Sequence, residues 1–205
     1  MRPSRSIVRQ LSEHQAACRA CRRCVDDGII PEAGPSFEGT AEAVFLLVGQ
    51  APGPVEVQYR RPFMGRAGRE LWRWMARAGF ASEEEFRRLT YIAALMRCFP
   101  GRAAGGGGDR PPPRRAMTNC AGWLETELRL LRPRAIIPVG QLAIRRFLGD
   151  APLEERVGRT FGVDPVFIPL PHPSGQSRWL NAPANRARLE AALSALGDLR
   201  QRLAA

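Results

Sequence analysis

Four short runs along the chain are rich in β-formers and apolar on both faces: Val44–Gly49, Thr90–Leu95, Ala135–Gly140 and Val166–Leu170. Strands that read this way are covered by helices on both sides. Between them the apolar positions recur at helical spacing. Arg66–Gly79 places Leu71, Trp74, Met75 and Ala78 on one stripe, and Arg115–Leu131 does the same with Met117, Cys120, Ala121, Leu124, Leu128 and Leu131. Gln141–Leu148 stops at Gly149, a favourable helix terminus. Ala184–Leu203 closes the chain as an amphipathic helix through Leu189, Leu193, Leu196 and Leu203. Strands alternating with helices predict an α/β fold, a three-layer α/β/α sandwich on a mostly parallel four-stranded central sheet. Ligands of such sheets bind beyond the carboxyl ends of the strands. That rule selects Gln50–Gly53, the segment after Leu95, and His172–Ser174. Two stretches lack periodicity: Asp27–Thr40, and the Gly/Pro/Arg loop Arg102–Arg115.

Composition narrows the classes of function. The 205 residues suit one domain spanning 1–205, and 44% hydrophobic content supplies a full core. The formal charge is +11. A field of that sign attracts polyanions, with nucleic acid the first candidate; an Arg bias in the genome is the bland alternative. All 31 basic side chains are Arg. With no Lys, no side chain can form a Schiff base, so any base-removing chemistry has to use water. The first 15 residues are basic and lack the apolar stretch of a secretory signal. No run approaches the about 20 apolar residues of a membrane span. The expectation is a soluble, cytoplasmic monomer with no membrane partner.

Five cysteines in such a compartment point to metal ligands or buried thiols rather than disulfides. Cys18, Cys21 and Cys24 form two overlapping C-x-x-C pairs, and Cys98 and Cys120 follow much later. One close pair and two distant cysteines can build a four-thiolate site, with the N-terminal segment and the 98–120 loop contributing. Spacing alone does not separate zinc from iron–sulfur, and Cys120 on its apolar stripe also reads as an ordinary buried thiol.

Three motifs stand at the selected strand ends. Gly49-Gln-Ala-Pro-Gly53 is a tight turn that leaves main-chain N–H groups directed into the cleft. Arg61-Pro-Phe-Met-Gly65 carries an aromatic on which a base can stack, Phe63, although ordinary packing explains it equally well. His172-Pro-Ser-Gly-Gln-Ser177 holds one of only two histidines. After it, Arg178-Trp-Leu-Asn181 offers a guanidinium for a phosphate and, at Trp179 and Leu180, side chains for wedging into a base stack.

In this order, and with these cysteines, the motifs resemble the uracil-DNA glycosylase superfamily, in its iron–sulfur branch (families 4 and 5). The similarity runs from about Cys21 to Asn185. It rests on a G-[EQ]-x-P-G turn, a PF-x-G-x-[AS]-G segment (RPFMGRAGREL) and a His-Pro-Ser loop. The resemblance implies a 4Fe–4S cluster held by Cys21, Cys24, Cys98 and Cys120, with Cys18 as the alternative to Cys24. It implies DNA as partner, with the damaged base flipped out. Gly49, Gln50, Ala51, Pro52, Gly53, Phe63, Ala94 and Ser174 would border the base, and Arg102, Arg110, Arg178 and Trp179 the DNA. His172 would stabilise charge on uracil O2, and Gln50 would border the attacking water.

Two departures bear on activity. Family 4 usually has Glu where this chain has Gln50, and an Asn that reads the uracil edge corresponds here to Ala94. Glu56 is a candidate substitute carboxylate. A related subgroup that traps DNA through a loop histidine is not expected here, since Gly101–Arg115 contains none. The leading expectation is a monofunctional DNA glycosylase acting on uracil or a related deaminated base in base excision repair. A catalytically weak or inactive iron–sulfur DNA-binding protein of the same fold is the second, and an unrelated zinc-dependent nucleotide enzyme the third.

Overall fold

A computed structural model describes residues 3–105, 107–174 and 178–204. Four strands, β1 (Phe45–Gly49), β2 (Thr90–Ala94), β3 (Ala135–Pro138) and β4 (Val166–Phe167), form one sheet in the order β2-β1-β3-β4. Every pairing is parallel. The β4 ladder outlasts its two regular residues: Ile168 and Leu170 donate to Ile136 and Pro138 at 2.9 Å each. Between them stands Pro169, on the side of β4 that faces away from β3, where a missing N–H costs the ladder nothing.

The helices are α1 (Arg5–Arg19), α2 (Arg23–Asp26), α3 (Pro54–Tyr59), α4 (Arg66–Arg77), α5 (Glu83–Leu89), α6 (Arg114–Leu131), α7 (Gln141–Leu148), α8 (Leu153–Arg156) and α9 (Pro183–Ala204). A single 3-10 turn, Arg178–Asn181, precedes α9. Alternation along the strands sorts the two faces. Phe45, Leu47, Ile92, Ala135 and Ile137 join Leu71, Trp74, Phe86, Leu189, Leu193 and Leu196 in one core. Leu46, Val48, Tyr91, Ala93 and Ile136 join Leu11, Cys18, Leu124 and Leu131 in the other. Helices α4, α5 and α9 therefore cover one face and α1 and α6 the opposite one. Sequence periodicity did not reveal α1, which starts at an N-cap, Ser4, accepting from the Ile7 N–H at 3.3 Å. Among the described residues, no helix is long and apolar enough to cross a membrane.

A charged cluster lies under the α1/α6 face. Glu127 of α6 is 0% exposed. It accepts from Tyr91 Oη at 2.9 Å and from Arg97 Nη2 at 2.5 Å, with His14 Nε2 3.4 Å away. Burial pushes its carboxyl up, but Arg97, His14 and Tyr91 outweigh burial and hold it below the ordinary value of 4.5. A carboxyl depressed in the folded state stabilises above its unfolded pKa, and that contribution is lost as pH falls through the lower folded value. Glu127→Gln leaves Arg97 buried without a counter-charge, which typically costs about 3–5 kcal/mol. Urea midpoints should show that loss at pH 7. They should show the two proteins converging as pH falls through and below the carboxylate range.

Candidate active site and cysteine-lined cavity

Because all four strands run the same way, their carboxyl ends meet at one edge of the sheet. Beyond that edge lies a cleft of about 720 Å³. Its walls include Gly49, Gln50, Ala51, Pro52 and Gly53 after β1, Phe63 from the loop before α4, Ala94 at the end of β2, and His172 and Ser174 after β4. The structure thus brings together residues up to 125 positions apart in the chain. Of the His-Pro-Ser motif, residues 175–177 lie outside the described residues.

Phe63 has an unusual backbone. Its φ is +58°, a left-handed conformation rare for a bulky side chain. The loop lies close on α4: a Cβ on Gly68 would stand 1.8 Å from the Phe63 carbonyl oxygen. Only glycine allows the loop to fold onto the first turn of that helix. The Phe63 ring lies against Gly49, where an added Cβ would meet its Cζ at 3.6 Å. Trp72 supports the ring edge-on at 6.4 Å between centroids. From below, the largely buried Arg87 donates to the Pro62 carbonyl at 3.1 Å, pairs with Glu83 at 2.8 Å and contacts Glu38. This Glu38–Arg87–Glu83 support was not foreseen from sequence, because its members are far apart and follow no motif.

Glu56, the candidate substitute carboxylate, lines the cleft and also anchors two of its loops. It is 7% exposed. One carboxylate oxygen accepts the Gly53 N–H at 3.0 Å and the other the Gly65 N–H at 2.8 Å. Through these two bonds it clamps the first two motif loops to each other. A carboxylate that sequence did not suggest, Asp109, does line the cleft. Its Oδ2 would be 3.4 Å from a Cβ on Gly53, and its Oδ1 accepts from Arg102 at 3.0 Å.

Gln50 and His172 meet over Gly140. A Cβ there would lie 2.8 Å from Gln50 Nε2 and 3.4 Å from His172 Cδ2, and Gly140 has φ +86°. Burial lowers the His172 pKa from 6.5, so the ring is neutral at pH 7 and presents one N–H and one acceptor nitrogen. Arg102 and Arg110 stand on the rim, where Arg110 donates to the Ile29 carbonyl at 3.0 Å. Arg178 is exposed. Trp179 and Leu180 are half-buried; both pack on the α4/α9 core, and the Trp179 indole donates to Glu154 at 2.7 Å.

A separate small cavity collects all five cysteines, together with Arg97, Ile30 and Trp123. Asp27 after α2 accepts from Arg115 and Asn119 of α6 at 2.6 Å each, holding α2 and α6, the helices of Cys24 and Cys120, together. Main-chain N–H groups of Gly34 and Arg97 donate to the sulfurs of Cys98 and Cys120, and Asn119 Nδ2 lies 3.8 Å from Cys24 Sγ. Cys24, Cys98 and Cys120 share one apolar cluster, whereas Cys18, 0% exposed, belongs to the sheet-facing core. Burial pushes the thiols of Cys98 and Cys120 up to about 11 and that of Cys18 to about 12. No disulfide joins any of the five. Among the described residues no group of three or more His, Cys, Asp or Glu is set as a site for a metal ion.

The Uracil DNA glycosylase superfamily pattern matches residues 36–197, and the chain belongs to that superfamily. The type-4 uracil-DNA glycosylase of Pyrobaculum aerophilum is 28% identical over 151 residues, covering 69% of this chain and 71% of that protein. That of Archaeoglobus fulgidus is 27% identical, covering 60% of this chain and 56% of its own length. For the enzyme of the same name from Thermotoga maritima the figures are 26%, 54% and 52%. The match therefore spans little more than half of the latter two relatives.

The Phe63–Gly68 contact is directly testable. Gly68→Ala must move the Phe63 loop and should cost about 1–3 kcal/mol, as overpacking does. Gly122→Ala, in α6 with nothing within 4 Å of the added carbon, should be neutral or stabilising. Denaturant midpoints of both variants check this; a Gly68→Ala protein as stable as the parent would contradict the close approach.

Proposed function

We propose that this protein is a monofunctional DNA glycosylase that hydrolyses the N-glycosidic bond of uracil, or a related deaminated base, in DNA. The observation that carries the reading is the convergence of Phe63, Gln50 and His172 in one cleft at the carboxyl edge of the sheet, in a chain of this superfamily. In this reading the target nucleotide leaves the stack and its base enters the cleft. Phe63 stacks on the base, its ring held in place by Gly68, Trp72 and Arg87. As the glycosidic bond breaks, negative charge develops on the base, and His172 donates a hydrogen bond toward O2. A neutral imidazole suits that task, since it stabilises the anion without carrying a proton into the leaving group. Gln50 orients the attacking water through its amide. Exposed arginines, Arg102 on the rim and Arg178 after the His-Pro-Ser motif, hold phosphates.

Removing one preorganised donor of this kind costs about 10²–10³ in rate. His172→Ala should therefore slow single-turnover excision of uracil by that factor with DNA affinity nearly intact, because phosphate contacts dominate affinity. Gln50→Ala should lose less. A His172→Ala protein within a few-fold of the parent would remove this residue from the mechanism. The alternative, a DNA-binding relative with little catalysis, is favoured by Gln50 and Ala94, which replace a carboxylate and a base-reading amide. Excision assays on uracil, hypoxanthine and xanthine in single and double strands decide between them.

The cysteines suit a 4Fe–4S cluster in this reading. Sulfurs come from three chain segments, two receive main-chain N–H donors and a third faces an amide N–H, as cluster thiolates commonly do. A cluster places each thiolate on a different iron, so its ligands stand wider apart than around one ion. Cys21, Cys24, Cys98 and Cys120 are the assigned ligands, with Cys18 spared by its place in the sheet-facing core. When bound, the cluster ties the α1–α2 connection, the exit of β2 and α6 to one another. Cys98→Ser or Cys120→Ser should bleach the protein and lower its solubility, and Cys18→Ser should do much less. Bleaching by Cys18→Ser together with a brown Cys24→Ser protein would reverse the assignment.

A further inference from the structure

Arg97 is only partly explained by its ion pair. It is 1% exposed and stands directly before Cys98. Its Nη2 donates to Glu127 at 2.5 Å, and its main-chain N–H donates to the Cys120 sulfur. Its Nε and Nη1 are buried and have no acceptor among the described residues. Guanidinium N–H groups left so lose their water without a replacement, which is costly for a charged group. Native structures rarely leave such a debt without a partner. Arg97 lines the cysteine cavity, and Trp123 on the same lining has its indole N–H equally buried and equally without an acceptor. Three unused donors around one cavity indicate an acceptor that belongs inside it.

The cavity's chemistry says what that acceptor is. Four thiolates on an iron–sulfur core leave a net negative charge in an apolar surrounding, which is costly unless a cation and N–H donors face it. Arg97 supplies both, and its field bears on Cys18, Cys98 and Cys120 alike. Glu127 is too remote from solvent to be exchanged for water and holds the guanidinium plane through Nη2. Phe37 flanks the group, its ring centroid 5.9 Å from Cζ.

We propose that Arg97 is the resident counter-cation of the cysteine-held cluster, its free N–H groups donating to the cluster's sulfurs while Glu127 fixes its orientation. The inference rests on the reading that the cysteines hold a cluster. Arg97 is then a positioning residue with no contact to the DNA base, and it sets how tightly the cluster is kept and at what potential it is reduced. Losing a positive charge and N–H donors disfavours the reduced, more negative cluster, so the potential falls when Arg97 is removed.

The experiment uses the full chain, reconstituted without oxygen from ferric iron, sulfide and a thiol that reduces half of the iron. Arg97→Met alone would strand Glu127, so the principal variant is Arg97→Met with Glu127→Gln, which removes both charges and keeps an acceptor for Tyr91. Arg97→Lys, which keeps the charge and loses the planar fork, is the second and serves if the first does not fold. Circular dichroism checks folding; iron per chain, visible absorbance, loss of iron to a chelator and the midpoint potential are the readouts. The paired variant should fold, lose iron roughly 10- to 100-fold faster, as outer-sphere changes do, and show a more negative potential. Arg97→Lys should fall between it and the parent. Iron retention and potential equal to the parent's in the folded variants would overturn the proposal and leave an internal water as the acceptor. A parent chain that takes up no cluster would instead sink the underlying reading.

Discussion

Parallel strands cannot be joined by a hairpin, so each must be reached by a crossover that returns the chain to the same starting edge. That constraint orders this molecule. It sends every strand's carboxyl end to one side and every βα loop to the same cleft. It also requires helices on both faces, and the alternation of β1, β2 and β3 side chains between two cores is the record of that demand. The site is assembled by this topology from loops that have no sequence proximity.

The loops themselves are held by buried charge. Glu56 spans the Gly53 and Gly65 amides, and Arg87 reaches the Pro62 carbonyl. Glu127 and Arg97 join α6 to the segment leaving β2. In each case an ionised side chain satisfies polar groups that a loop cannot pair within itself. Such groups are easily mistaken for reactive ones when only their identity is known. Their bonds to main-chain groups and to one another show the supporting part they play, while Gln50, His172 and Asp109 are polar groups of the cleft wall itself.

The arrangement also separates two kinds of polar chemistry by distance from the sheet edge. The cleft is open and ringed by arginines, where salt screens and water competes. The cysteine cavity is small and mainly apolar, and a charge there needs dedicated partners. A net charge of +11 acts over the whole surface and draws a polyanion to the cleft. It cannot serve the cavity, whose needs are met only by groups in contact with it.

By itself the sequence determined the elements that periodicity encodes: the four strands, the stripes of α4, α6 and α9, and the end of α7 at Gly149. It also determined the motif residues that line the cleft, because turn chemistry at a strand's end is local and short-range patterns record it. Helix α1 escaped because its face toward α6 buries only Leu11 and Cys18 in a largely polar run. What only the tertiary structure decided lay between distant residues: the clamp that Glu56 makes, the packing of Trp179, the close approach of Phe63 that Gly68 permits, and the two guanidinium nitrogens of Arg97 left without acceptors beside the cysteines. Those are properties of hydrogen bonds and close contacts across the fold. No residue carries them alone, since the same carboxylate or guanidinium is scaffold or reactant according to which partners the fold sets beside it.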